Sequence, residues 1–504
     1  MKLDRSIHAV ALSSLLLGAC ADDPDGRVSN SAIEDERAIA TEDLPRSAVI
    51  QLFNWPFTAI RDEVCDLGQM GFSHIHVSPP QLSNPSTAWW GRYQPMDYRV
   101  IDSPLGNEAD FEAMTQQAEN CGVTIVADVV INHMANLGLN TGDLYYPQGC
   151  DRSRPLNSGD GSCLVAPQNF HNEECIFDYG NHCAVMYGRI CGGGGDRGLP
   201  DLATGFCEPG GFLDIHSRNY DPHVFGVVKE YLQRLQALGV GGFRIDAAKH
   251  MHPAFLYDLL TDPQVQGATE YMYGEIIADR VSDPTLVAYR HVPELDFMDF
   301  PLTRSLIDTF GFGGNLGQLE GITGTDRALD GPSSVSFVTN HDVWGNEGGL
   351  GYRFSNHQDE LLAHIYVLGR GDGLAYVYSE FTDGPSQQYR GFGEDYVFFH
   401  RREHVKDMLA FHTRLLGEPT LPKWQDPNHL AFARGLRGFV AVNKSGNAWD
   451  IGGVDTGLPD GSYIDALSGN TYFASGGRIS GSVPARWGLM LIPASECDQG
   501  DCSL

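Results

Sequence analysis

The 504-residue chain predicts an α/β fold: a closed, parallel (β/α)8 barrel of the TIM type, with a loop-rich insertion after strand 3 and a C-terminal antiparallel β-sandwich. Three observations predict it. Eight short β-branched or aromatic runs alternate with amphipathic helical segments between residues 47 and 416. The interval between the third and fourth runs is far too long for one helix and is rich in Gly, Asn, Asp and Cys. After about residue 417 the pattern turns to short alternating strands, as in HLAFARGLRGFVAVNK.

The eight runs are SAVIQLFNW (47–55), HIHVSPP (74–80), TIVADVVINH (124–133), GFRIDAAK (242–249), YMYGEII (271–277), ELDFMDF (294–300), SVSFVTNHD (334–342) and GLAYVYSEF (373–381). Helical segments such as DFEAMTQQAENCGV and HVFGVVKEYLQRLQALGV lie between them. The barrel therefore takes residues 47–133 and 223–416, the insertion 134–222 and the terminal β domain 417–504. In a parallel barrel, polar residues at strand C-terminal ends build the active site.

A hydrophobic content of 42% with 10% aromatics describes a globular chain. Against 65 acidic residues stand 34 basic ones, a formal charge of −31. Phosphates would be repelled, which excludes nucleic acid as a partner. A neutral substrate, a bound cation or a salty medium suits this charge, and so does simple solubility.

Lys2 and Arg5 precede the apolar run 10–17, which is too short to span a bilayer. The run ends in Leu17-Gly18-Ala19-Cys20, which resembles the bacterial lipobox. Residues 1–20 thus read as an export signal with a lipid-anchored Cys20; the alternative is an ordinary cleaved signal and a secreted protein. Residues 21–46 are a polar, acidic tether. Ten cysteines remain, an even number suited to disulfides in an oxidising compartment. Cys150, Cys163, Cys175, Cys183, Cys191 and Cys207 crowd the insertion, a staple in place of a large core. Cys497 and Cys502 are expected to close a terminal loop. Zinc is the alternative, without a CxxC pair to support it.

GFRIDAAKH (242–250) is the most informative stretch. An apolar strand delivers Arg244, Asp246, Lys249 and His250 to one place. Two further acidic strand ends follow, Glu275 in YMYGEII and Asp342 in SVSFVTNHD. Three carboxyl groups converging on one pocket are what glycosidic cleavage needs.

WWGRYQPMDYRV (89–100), DVVINH (128–133), GLPDL (198–202), GFRIDAAKH, YGEII, FVTNHD and HLAFARGLRGF occur in the order of the α-amylases of glycoside hydrolase family 13. Over residues 48–495 the chain resembles the animal-type amylases and their bacterial relatives. The resemblance implies Asp246 as nucleophile, kept ionised by Arg244. It implies Glu275 as acid/base with a raised pKa, and Asp342 as a hydroxyl-binding carboxylate that favours the distorted transition state. The two reacting carboxyls of a retaining enzyme stand about 5 Å apart. His133 and His341 would bind sugar hydroxyls, and Tyr93, with Gln94 beside it, would stack on a pyranose. Trp89 and Trp90 would form a further platform, with Lys249 and His250 on the leaving-group side.

The resemblance also implies a calcium ion held by Asn132, Asp201 and the carbonyls of Arg189 and His250, with Asp214 as alternative to Asp201. Cys175–Cys191 and Cys65–Cys121 become plausible bridges, although Cys121 is about one turn from the family position. The inserted residues 206–219 have no counterpart in the pattern. Arg244 and Asn340 match two chloride-binding positions of such amylases. The third falls on the uncharged Tyr376, so chloride is expected to be weakly bound or absent. The expected activity is endo-acting, retaining hydrolysis of α-1,4-glucosidic bonds in starch, glycogen or maltodextrins by a monomer. Its rivals are a family member that releases one defined oligosaccharide or transfers glycosyl groups, and a glucan-binding lipoprotein without turnover.

Overall fold

The computed structural model describes residues 47–136, 164–165, 167–171, 174–192, 197–208, 213–345, 352, 354–381 and 396–497. The export signal with Lys2, Arg5 and Cys20, the tether, Cys150, Cys163 and Cys502 lie outside the described residues.

Eight parallel strands close a barrel in sequence order. They are β1 (Ala48–Phe53), β2 (His74–Val77), β3 (Thr124–Val129), β4 (Gly242–Ile245), β5 (Tyr271–Gly274), β6 (Asp296–Met298), β7 (Ser334–Phe337) and β8 (Leu374–Glu380). Each lies within a run expected from the sequence. The runs extend further than the strands because the chain leaves the ladder at the mouth, where the polar residues sit.

Helices α1 (Phe57–Gln69), α2 (Glu108–Asn120), α3 (Pro222–Ala237), α4 (Phe300–Phe310), α5 (His357–Gly369) and α6 (Glu403–Arg414) flank the strands. Their ends are written locally. Asn107 and Asp110 form a reciprocal capping box on α2. Asp221 caps α3, and Pro222 occupies its first turn, where no N–H is needed. Val224, Val228, Tyr231 and Leu235 recur at helical spacing on the buried face of α3.

Side chains alternate across each strand, so residues two apart share the barrel interior. Gln51 pairs with His76, and Asp128 with Arg244, which pairs in turn with Tyr273. Asp128 and Arg244 are fully buried, and Gln51, His76, Tyr273 and Tyr376 are nearly so. This interior is polar and aromatic rather than aliphatic.

The terminal strands β9 (Thr420–Gln425), β10 (His429–Arg434), β11 (Gly438–Asn443), β12 (Gly461–Asp465), β13 (Thr471–Ser475), β14 (Arg478–Ile479) and β15 (Trp487–Pro493) form one sheet, ordered β9-β10-β11-β15-β12-β13-β14. Its ladders are antiparallel. Two buried cations join it to the barrel helices. Lys444 donates to Thr309 O and Gly314 O beyond α4, at 2.8 and 2.6 Å. Arg434 donates to Gly369 O at the end of α5 and to Leu415 O past α6, at 2.8 and 2.6 Å. Helix C-termini present unpaired carbonyls and partial negative charge, which these cations satisfy.

Disulfides Cys65–Cys121 and Cys175–Cys191 form, and Cys183–Cys207 adds a third among the described residues. Cys497 is also disulfide-bonded. No helix among the described residues is long and apolar enough to cross a membrane.

Candidate active site

Asp246 follows the last residue of β4, and Glu275 follows the last residue of β5. Asp342 lies in the short helix His341–Gly345 beyond β7. All three face Arg244. Its NH1 donates to Asp246 Oδ1 at 2.6 Å, and its NH2 lies 2.7 Å from Glu275 Oε1. NH1 also donates to Asp128 Oδ1 at 2.7 Å, an aspartate to which the sequence reading gave no role. Glu275 and Asp342 are hydrogen-bonded to each other. Ala247, between Asp246 and the Ala248–His250 turn, has φ +49°. This left-handed backbone costs a non-glycine residue about 1 kcal/mol. It aims the Ala247 N–H at Glu275 Oε2, 3.3 Å away.

One guanidinium cannot neutralise so many buried carboxylates. Burial pushes Asp246 up to about 8, against the opposing pull of Arg244. Burial and the facing Glu275 charge hold Asp342 well above the usual carboxylate range. For Glu275, burial is outweighed by Arg244 and by the hydrogen bond from Asp342, and its pKa is lowered. This proton distribution differs from the expectation that Asp246 is the ionised group and Glu275 the raised one. The physical reason is that Arg244 is shared, while Glu275 alone has a protonated neighbour.

The surrounding side chains are crowded. The His341 ring stacks on both Phe53 and Tyr93, with centroids 4.5 and 5.1 Å away and the ring planes nearly parallel in each pair. Gln51 Nε2 lies 2.8 Å from His341 Nδ1, and His341 Nε2 lies 3.3 Å from Asp342 Oδ2. Burial lowers His341 to about 3, so the ring is neutral. Trp89 packs on Phe53, Tyr93 and His341, while Trp90 beside it is half-buried. Tyr93 donates to Asp128 Oδ2 at 2.9 Å. The Gln94 side-chain oxygen accepts from Asn84 at 2.8 Å. Lys249 Nζ sits 5.3 Å from the centre of the Tyr179 ring, and His250 Nδ1 lies 2.9 Å from Val185 O. His133 is placed differently from the expected sugar donor. Its Nε2 meets Tyr93 O at 2.9 Å and its Nδ1 meets the Asn132 amide at 3.3 Å, so both ring nitrogens have protein partners.

Behind His133 lies the expected cation position. Asp201 is buried, its carboxyl pushed up to about 6 by burial against the pull of His171. Asn132 Nδ2 contacts Asp201 Oδ1 at 3.0 Å, while Asn132 Oδ1 is buried without a hydrogen-bond partner. An oxygen left bare beside a buried carboxylate fits a hard cation. The Arg189 carbonyl accepts from Ile176 N at 3.1 Å. Asp214 lies apart in a half-exposed turn, where it accepts from His216 N at 3.0 Å. Among the described residues no three His, Cys, Asp or Glu group as a metal cluster, so an ion here would depend on amide and carbonyl oxygens.

The positions that the resemblance matches to a chloride site have protein partners. Tyr376 is buried, with its hydroxyl 3.1 Å from His76 Nδ1. Asn340 Oδ1 accepts from the backbone N–H of Asp342 and Val343 at 3.0 and 2.8 Å.

Residues 59–138 match the alpha-amylase catalytic-domain family. An alpha-amylase of Aeromonas hydrophila is 34% identical over 416 residues, 79% of this chain and 84% of the relative. A pancreatic alpha-amylase of Rattus norvegicus is 29% identical over 84% of this chain and 87% of its own length. The solved structure of alpha-amylase I from Eisenia fetida, in complex with maltohexaose, superposes with a TM-score of 0.70. It is 25% identical and covers 89% of this chain and 97% of its own. Fold and relatives define the chain as a glycoside hydrolase. It belongs to the alpha-amylase family.

Proposed function

We propose that the chain is an endo-acting, retaining hydrolase of α-1,4-glucosidic bonds in starch, glycogen and maltodextrins. The observation that carries this reading is Arg244 held between Asp246 and Glu275, with Asp342 hydrogen-bonded to Glu275 at the barrel mouth. The Glu275–Asp342 pair holds a proton where the glycosidic oxygen must receive one. Substrate hydroxyls that engage Asp342 leave this proton on Glu275, which passes it to the leaving oxygen. Asp246 attacks the anomeric carbon, and positive charge developing on the sugar favours its ionised form. A covalent glycosyl–Asp246 intermediate results. Glu275 then takes a proton from water, which releases the sugar with its α configuration kept.

Tyr93, Trp89 and Trp90 supply apolar faces for the ring beyond the cleaved bond, with Gln94 beside them and His341 facing the cleaved unit. His133 supports that side through Tyr93, and Lys249 and His250 line the leaving-group side. Asn132, Asp201 and the carbonyls of Arg189 and His250 would hold Ca2+. Such an ion would supply positive charge against the buried Asp201 carboxylate and would hold the insertion to the barrel.

Product analysis by NMR on maltoheptaose and soluble starch tests the reading. A mixture of short α-anomeric maltodextrins is expected; one product length favours an exo-acting relative, and binding without turnover favours a glucan-binding protein. Asp246→Asn and Glu275→Gln should each cut turnover by about 10³-fold or more with the fold intact. Near-wild-type rates in either would sink the assignment. Lys2 and Arg5 before the apolar run, the disulfides and the Leu17–Cys20 sequence support export and lipid anchoring at Cys20. Incorporation of labelled palmitate that persists in Cys20→Ala would exclude that anchor.

A further inference from the structure

Below the mouth, the barrel interior holds a second ionic layer that shares Arg244 with the catalytic carboxylates. Asp128 on β3 stands opposite Arg244 on β4. Arg244 binds its Oδ1 at 2.7 Å, and the Tyr93 hydroxyl binds its Oδ2 at 2.9 Å. His76 on β2 brings Nε2 to 3.2 Å from the same Oδ2. The other ring nitrogen, Nδ1, lies 3.1 Å from the Tyr376 hydroxyl of β8.

These contacts favour one tautomer. Nε2 lies 3.2 Å from Asp128 Oδ2 but off the alignment of a hydrogen bond, so a proton on Nε2 faces the carboxylate as a dipole. Nδ1 keeps its lone pair and accepts from Tyr376. Burial lowers the His76 pKa, opposed by Asp128, so the imidazole stays neutral. The groups that face it are Asp128 on β3, Arg244 on β4, Tyr273 on β5, Glu275 beyond β5 and Tyr376 on β8. His341 is felt at longer range.

We propose that His76 is a positioning residue for glycosidic cleavage: through Asp128 it sets how Arg244 is shared with Asp246 and Glu275, and Tyr376 holds its tautomer. The inference rests on the roles proposed above for Asp246 and Glu275. Asp128, with the Tyr93 hydroxyl donating to Oδ2 and the positive side of the His76 ring dipole beside it, competes less strongly for Arg244. The guanidinium then spreads over Asp128, Asp246 and Glu275 instead of collapsing onto Asp128. A neutral ring achieves this without a second buried charge, which would be costly to desolvate.

The test is the pH dependence of kcat/KM on maltoheptaose for His76→Leu, Tyr376→Phe and His76→Gln, with wild type and Asp246→Asn in parallel. Without the ring dipole, Asp128 draws Arg244 away and the pKa values of Asp246 and Glu275 rise. The two limbs report the successive ionisations of the coupled Asp246–Glu275 pair, whichever residue carries the remaining proton, so both limbs move to higher pH in His76→Leu. Tyr376→Phe moves them the same way by less. In both, kcat falls several-fold while KM stays within about twofold. His76→Gln, whose amide can donate to Asp128, restores the limbs. Limbs at wild-type positions, or moved to lower pH, overturn the inference, even where melting temperature falls. If His76→Leu does not fold, Tyr376→Phe decides alone. Turnover retained by Asp246→Asn would instead strike the underlying catalytic reading, so the two failures are distinguishable.

Discussion

Arg244 spends one guanidinium on three carboxylates, and the character of the site follows from that shortage. Asp246, Glu275 and Asp342 were legible in the sequence because each stands at the polar end of an apolar run. Asp128, His76 and Gln51 were not, because they lie inside such runs and barrel strands usually bury aliphatic residues. The signal was present in HIHV, where a histidine recurs at every second position of a strand. Proton placement was not legible at all, since it depends on which carboxylates share which donor. The uncharged Tyr376 carries a prediction at this scale. With its hydroxyl turned to His76 and Asn340 Oδ1 occupied by backbone N–H groups, neither side chain adds positive charge beside Arg244. Activity in chloride-free buffer should match that with added chloride. A collapse on chloride removal that addition reverses would refute this.

The eight strands were legible as elements because alternation and turn residues punctuate them, and α2 and α3 because their apolar residues recur at helical spacing. What the sequence did not reveal is how the first helix meets the last strand. Glu63 on α1 accepts from Arg401, and its Oε1 lies 2.8 Å from His400 Nε2. His400 Nδ1 lies 2.8 Å from Ser379 Oγ on β8. Residues some 340 apart in sequence cannot announce such a contact. For Glu63, burial alone would raise the pKa, but the bonds to His400 and Arg401 lower it from 4.5 to about 2. A depressed carboxyl contributes stability above its unfolded value and loses it as pH falls through its folded value. Glu63→Gln should therefore cost about 1–2 kcal/mol at neutral pH after allowance for solvent screening. The deficit should shrink between pH 4.5 and about 2. Thermal melts at both ends of that window check it, and an equal deficit at each would contradict it.

At the scale of the molecule, the described residues between β3 and α3 include the short helices Pro167–Asn169 and His182–Tyr187 but no strand of two or more residues. Two bridges, Cys175–Cys191 and Cys183–Cys207, staple this segment to itself, and hydrogen bonds from Asn132 to Asp201 and from Leu202 N to Asn132 O tie it to the chain beyond β3. The sequence suggested the staples by count and crowding, and the resemblance suggested one pairing. It could not single out Cys183–Cys207 among six cysteines. Exhaustive chelation should lower the melting temperature, because a buried Asp201 carboxylate would lose its counter-charge beside a bare Asn132 oxygen. An unchanged melting curve would count against a bound cation.

The order of those bridges along the chain has its own consequence. Cys183 lies between Cys175 and Cys191, while Cys207 lies beyond both, so the two loops interlace rather than nest. Four cysteines can pair in three ways, and joining sequence neighbours gives 175–183 and 191–207, a wrong pattern. A cell that supplies only an oxidant would accumulate scrambled chains. One that also supplies a disulfide isomerase would let these bridges be broken and re-formed until the interlaced pair is reached. The yield of active protein should then follow the reshuffling capacity of the host rather than its oxidising strength.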